Sequence, residues 1–136
     1  MSNQLAQLKL LINLAQIDGE VGERERSYIF NIGRANGLTE IAVEPLFGQS
    51  HEIIIPNNLN NTQKFNYIFS LVQLMKIDER LYQDEIRFCS RVASKLGYDE
   101  AVMFELMLHV REVMQANELD ELKKLTEKYL SKKSWF

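Results

Sequence analysis

The feature that most restricts the fold of this chain is an internal repeat with a period of sixty residues. Residues 11–18 (LINLAQID) align without a gap to residues 71–78 (LVQLMKID). Because solvent-exposed positions vary freely, the shared Asp, Glu and Gly residues favour a duplicated structural unit over two hairpins with similar apolar patterns. We therefore expect two helical units, at about residues 5–47 and 65–107, that pack together about an approximate two-fold axis. Further identical pairs at the same shift are Glu25/Glu85, Gly37/Gly97, Glu40/Glu100 and Leu46/Leu106.

Apolar residues recur at helical spacing along both units, and no segment shows the alternation that is typical of a strand. Gly37 and Gly97 are placed to end the second helix of their units. Between the units, Pro56 and several asparagines make residues 48–61 a non-helical connector. A further amphipathic helix is expected at about residues 117–130. The sequence thus predicts a single all-α domain of about seven helices, which suits a chain of 136 residues.

Composition removes several classes of function. Sixteen Lys and Arg residues against nineteen Asp and Glu residues give a net charge of −3, which argues against a general affinity for nucleic acid. The single cysteine, Cys89, excludes an intrachain disulfide. No apolar stretch approaches the roughly 20 residues that a bilayer-spanning helix needs. We expect a cytoplasmic protein that neither binds nucleic acid nor inserts into a membrane.

Each unit carries an acidic turn between its first two helices. The turns run from Asp18 to Glu25 and from Asp78 to Glu85, and both follow the pattern D-x-x-[aliphatic]-x-x-x-E. The first turn resembles the second half of an EF-hand loop, but the residues that would supply the first two ligands are not acidic, which excludes an EF-hand. If the two-fold axis brings the turns together, these four carboxylates form a set of hard oxygen ligands suited to Ca²⁺, Mg²⁺ or Mn²⁺.

A second interpretation of the same residues needs no metal. An Asp that follows a helix can accept hydrogen bonds from the amides of the turn. Glu25 and Glu85 fall near the third position of the next helix, where a Glu reaches back to a loop N–H and meets the positive end of the helix dipole. Both interpretations, metal ligation and helix capping, are open at this point.

The first acidic turn also resembles a known family. An apolar helix that ends in residues 15–19 (AQIDG), followed by Val21 and Glu25, is similar to the tellurite-resistance TerB-like family. The resemblance covers residues 5–130, although the second copy has Glu79 where the first has a glycine. It implies a seven-helix domain that binds divalent metal through clustered acids, in bacterial proteins linked to tellurite resistance, stress or phage defence. The residues to which it assigns metal binding are Asp18 and Glu25 and, through the repeat, Asp78 and Glu85.

No catalytic residue is predicted, because no nucleophile, metalloprotease, phosphate-loop or dinucleotide motif is present. His51 and His109 have no ligand partners at metal-site spacing. Our first hypothesis is a non-enzymatic TerB-like module that binds a divalent cation and a protein partner. The alternative is a metal-free interaction or scaffold domain that self-associates and uses its acids as helix caps. The tail that ends in Trp135 and Phe136 either packs on the core or docks into a partner.

Overall fold

The computed structural model describes residues 2–77 and 83–130, and every regular element within them is helical. The all-α prediction with about seven helices is therefore confirmed. None of the helices in this described part is long and apolar enough to cross a membrane. The seven helices are α1 (Ser2–Ala15), α2 (Glu23–Ala35), α3 (Glu40–Val43), α4 (Asn61–Ile77), α5 (Gln83–Lys95), α6 (Val102–His109) and α7 (Ala116–Glu127).

Helices α1 and α4 form the centre of the core, because apolar side chains cover most of the circumference of each. The two helices pack against each other, α2 covers both of them, and α5, α6 and α7 pack on α4. Burying one large aliphatic side chain stabilises the fold by about 1.5–3 kcal/mol relative to leaving it in water. This pair of helices is therefore the rigid base on which the shorter helices rest. Its fully buried members include Leu8, Leu11, Ile12, Leu14, Ile68, Leu71, Val72 and Leu74.

Helices α2 and α5 have the same length, thirteen residues, and end in the same way sixty residues apart. After α2, Gly37 has a φ of 83°, and the amide that follows it donates to the Gly33 carbonyl at 2.8 Å. After α5, Gly97 has a φ of 98°, and the next amide donates to the Ala93 carbonyl at 2.9 Å. This is the Schellman arrangement, whose left-handed residue favours glycine. The predicted helix ends at Gly37 and Gly97 are confirmed.

The third helices of the two units differ. In the first unit, α3 is four residues long and passes into a single 3₁₀ turn that contains Pro45, because proline cannot supply the amide that a longer helix requires. In the second unit, α6 runs for eight residues and ends at His109, and Val110 then has an extended backbone. The helical pattern of the sequence predicts Val113 on the inner face of this helix. Val113 instead lies beyond the helix and is 76% exposed.

Residues 48–60 contain no helix and are fixed by two carboxamide side chains, one from Asn13 in α1 and one from Gln16 directly after it. Asn13 donates from Nδ2 to the His51 carbonyl at 2.6 Å and accepts from the His51 amide at 3.0 Å. One turn later, Gln16 donates to the Gln49 carbonyl at 2.9 Å and accepts from the Gly48 amide at 2.6 Å. These bonds supply the connector with the partners that a regular element would otherwise provide.

Candidate functional site

The first acidic turn is built from a helix end, a left-handed glycine and a short extended segment. Asp18 is exposed just after α1, and its Oδ1 accepts a hydrogen bond from the Glu20 amide at 3.3 Å. Gly19 between them has a φ of 98°, a conformation that side chains disfavour. Val21 is half-buried against the core. The Asp18 carboxylate therefore takes part in closing its own turn.

Glu25 is the third residue of α2, as the sequence predicts, and it caps that helix. Its Oε1 accepts a hydrogen bond from the Gly22 amide at 2.8 Å. Gly22 lies at the N-cap with an extended backbone (φ −69°, ψ 162°). The carboxylate thus satisfies a loop amide and lies beside the positive end of the α2 dipole. This arrangement agrees with the capping interpretation.

The second acidic turn is seen in part. Residues 78–82 lie outside the described residues, and so does the predicted ligand Asp78. Glu85 is described: it is the third residue of α5, the position that Glu25 has in α2, and it is 5% exposed. Burial, and then the nearby Glu85 charge, raise the pKa of the Cys89 thiol to about 12. Glu85 therefore lies on the inner side of α5 close to Cys89.

Within residues 2–77 and 83–130, no three or more His, Cys, Asp and Glu side chains form a group that could hold a metal ion. Of the four predicted ligands, Asp18 and Glu25 share the first turn and each accepts a backbone amide within it. The predicted set depends on the second turn as well, so metal ligation by the four carboxylates stays a prediction. The tail with Trp135 and Phe136 also lies outside the described residues.

A feature that the sequence analysis did not identify is an apolar surface on α6. Phe104 is 79% exposed and Leu108 is 73% exposed, although both are large apolar residues. They are four residues apart and so lie on one face of the helix. The opposite face is buried through Val102 and Leu106. The sequence does indicate such a surface, because α6 carries more apolar residues than one buried face can hold.

This apolar surface continues into a groove between α6 and α7. The groove has a volume of about 450 Å³, and Leu108, Met114 and Leu125 line its apolar part. Polar residues of both signs stand around it, and the ion pair of Arg111 with Glu118 joins its two sides. We use the name α6 face for Phe104 and Leu108 together with the groove residues Met114 and Leu125.

Comparisons of the chain with models of protein families, with curated proteins and with solved structures find no match.

Proposed function

We propose that this chain is a non-enzymatic helical interaction module whose α6 face binds a second copy of the chain. In this proposal the acids of the first turn are helix caps rather than metal ligands. The relation to the TerB-like family, with its bacterial stress and tellurite-resistance context, belongs to the same proposal and rests on the repeated acidic-turn motif.

The observation that carries the proposal is the exposure of Phe104 and Leu108 on one helix face. Leaving such a side chain in water gives up about 1.5–3 kcal/mol that its burial would supply. Single exposed apolar residues are common on protein surfaces, but a contiguous apolar patch with a polar rim is typical of interaction sites. The α6 face has this form, because Met114 and Leu125 extend it and charged residues border it.

A second copy is the occupant that the charges favour. The border of the α6 face carries Arg111 and His109 as well as the acids Glu118 and Glu121. In a two-fold symmetric contact each surface meets its own copy, so a border with both signs can pair with itself. A net charge of −3 on each chain also adds little repulsion between two copies.

The geometry of the first acidic turn supports a structural role for its acids, in place of metal binding. Asp18 and Glu25 each accept a hydrogen bond from a backbone amide within three residues. Such bonds give these two side chains a structural role in the turn that requires no metal. Glu85 has the same position in α5 that Glu25 has in α2, and the proposal extends the structural role to it.

Sedimentation velocity over a range of protein concentrations tests the self-association. We expect the chain to form a dimer, and the double substitution of Phe104→Ser with Leu108→Ser to make it monomeric. Ile41→Ser is the matched control, because Ile41 is 86% exposed on α3, away from the α6 face. A wild-type chain that is monomeric at every concentration contradicts the proposal. Equal effects of the control and the double substitution contradict the choice of surface.

A divalent-cation module of the TerB-like kind is the second candidate. It is favoured by the equivalent placement of Glu25 and Glu85 at the third position of two helices of equal length. Calorimetric titration with Ca²⁺, Mg²⁺ and Mn²⁺ separates the two candidates, because this one requires heat of binding that Asp18→Asn and Asp78→Asn both weaken. Absence of heat and of any thermal shift with all three ions removes this candidate.

A further inference from the structure

At the opposite end of α1 and α2 from the first acidic turn, a cavity is lined mainly by Asn and Gln side chains. It has a volume of about 200 Å³ and lies between the first two turns of α1, the first two turns of α4 and the end of α2. The chain contains eighteen Asn and Gln residues, and a third of them line this one cavity. We call it the carboxamide cavity. Its carboxamide residues are Asn3, Gln4, Gln7, Asn36, Gln63 and Asn66.

Hydrogen bonds hold the wall of the cavity in place. Gln7 lies at its centre, donating from Nε2 to the Ser70 hydroxyl at 3.1 Å and accepting from Asn36 Nδ2 at 3.0 Å. The Tyr67 hydroxyl donates to the Asn3 carbonyl, which ties the first turn of α1 to α4. The polar groups are thus positioned by the fold before any ligand arrives, which reduces the cost of ordering them on binding.

One side-chain oxygen in the wall lacks a partner. The side-chain oxygen of Gln4 is buried and accepts no hydrogen bond from the described residues. A buried acceptor without a partner is destabilising, because it has lost its hydrogen bonds to water. Turning this carboxamide toward the cavity would break no bond of that oxygen, and a ligand with an O–H or N–H group would supply the missing donor.

The lining also restricts the charge of a ligand. Of the eight described residues that line the cavity, Tyr67 alone is ionisable. Burial raises the pKa of the Tyr67 hydroxyl to about 12, so the side chain is neutral at physiological pH. An ionic ligand would lose its hydration and gain no counter-charge. A purely apolar ligand would bury the carboxamides without partners. The ligand must therefore be uncharged and rich in both donors and acceptors.

We propose that the carboxamide cavity binds a small uncharged polyhydroxy molecule of monosaccharide size. Each hydroxyl group both donates and accepts, as does each carboxamide, so adjacent hydroxyls can pair with the lining in either orientation. Leu59 adds one apolar wall for the C–H face of such a molecule. The volume is below the roughly 300–1,000 Å³ of pockets for drug-sized ligands, which limits the ligand to a single ring or a short polyol.

The test is a titration of the full ¹⁵N-labelled chain with glucose, followed by NMR. The side-chain NH₂ groups of Asn and Gln give their own signals, so the cavity reports directly. We expect saturable shifts at the NH₂ groups of Gln4, Gln7 and Asn36. Gluconate and glucosamine, which carry a charge on a similar framework, should cause no saturable shifts there. Acetamide, which offers an amide without hydroxyls, should bind more weakly than glucose.

Substitution provides the second part of the test. Gln7→Leu removes the centre of the network and can impair folding, so the informative variant is Asn66→Leu, whose side chain is exposed at the cavity edge. Loss of one or more hydrogen bonds to the ligand should weaken glucose binding about tenfold. Asn117→Leu, at an exposed position on α7, is the control and should leave the affinity unchanged.

Three outcomes would overturn the proposal: no saturable shift with glucose, equal binding of the charged analogues, or the same affinity in Asn66→Leu as in the control. The first of these would assign the cavity to bound water alone. Because the readout is at the cavity and not at α6, the result is independent of whether the chain self-associates.

Discussion

The C-terminal end of α6 is held by a lysine from another helix. Lys76, in the last turn of α4, donates from Nζ to the carbonyl oxygens of Met107 at 2.8 Å and Val110 at 2.6 Å. The last carbonyls of a helix have no intrahelical partner and carry the negative end of its dipole. The Lys76 ammonium therefore caps α6 and fixes the helix that carries Phe104 and Leu108.

Lys76→Met keeps an unbranched apolar stem and removes both hydrogen bonds. A hydrogen bond to a charged group contributes about 1.5–3 kcal/mol, and here two bonds share one half-buried ammonium. We expect the substitution to lower the free energy of unfolding by about 2 kcal/mol, counting the pair as one charged interaction. At about 3–4 °C for each kcal/mol in a domain of this size, the melting temperature should fall by about 7 °C.

Urea unfolding followed by circular dichroism measures this change, and amide hydrogen exchange shows whether α6 opens first. Lys9→Met is the matched control, since Lys9 is a half-buried lysine on α1 that lies away from the ends of the helices. If the two variants differ by less than about 0.5 kcal/mol, the ordinary spread for surface substitutions, the Lys76 bonds do not stabilise α6 as we infer. Unchanged exchange in α6 would lead to the same conclusion.

Three further predictions concern Glu25, Cys89 and Glu118. Glu25→Gln keeps a capping acceptor and should preserve stability, whereas Glu25→Ala should lose about 1 kcal/mol in thermal unfolding; equal losses would contradict the cap. Burial raises the pKa of Cys89 to about 12, so thiol reagents should label it only as the chain unfolds, and rapid labelling of the native protein would refute its packing. The Gln115 amide, and then the Arg111 side chain, lower the pKa of Glu118. The Glu118 carboxylate therefore stabilises the fold fully above the ordinary Glu pKa, and this stabilisation is lost as the pH falls through the lower pKa of the folded state. Glu118→Gln should make the free energy of unfolding less dependent on pH in that range.

Features that depend on a few adjacent residues were predictable from the sequence. Gly37 and Gly97 end their helices because a left-handed residue after a helix favours glycine whatever surrounds it. The third-position placement of Glu25 and Glu85 follows from the spacing between the acidic turn and the next helix. The central position of α1 follows from apolar residues on nearly every side of that helix.

Features that depend on contacts between distant segments were not predictable. The helical pattern continues past His109, so the sequence alone extends α6 as far as Val113. The helix stops earlier, where Lys76 from α4 binds its last carbonyls. The carboxamide cavity has no local pattern at all, because three separate segments contribute its lining. The meeting of the two acidic turns is a long-range feature of the same kind and stays a prediction.

The repeat separates residues that build the fold from residues that distinguish the two units. Some positions with the same residue in both copies belong to the core, such as Leu11 and Leu71, and others shape the backbone, such as Gly37 and Gly97. The α6 face has no counterpart in the first unit: sixty residues earlier, Phe104 corresponds to Glu44, which forms an ion pair with Arg26. A surface that is apolar in one copy and charged in the other is not required by the shared scaffold. This asymmetry agrees with the proposed binding function of the α6 face.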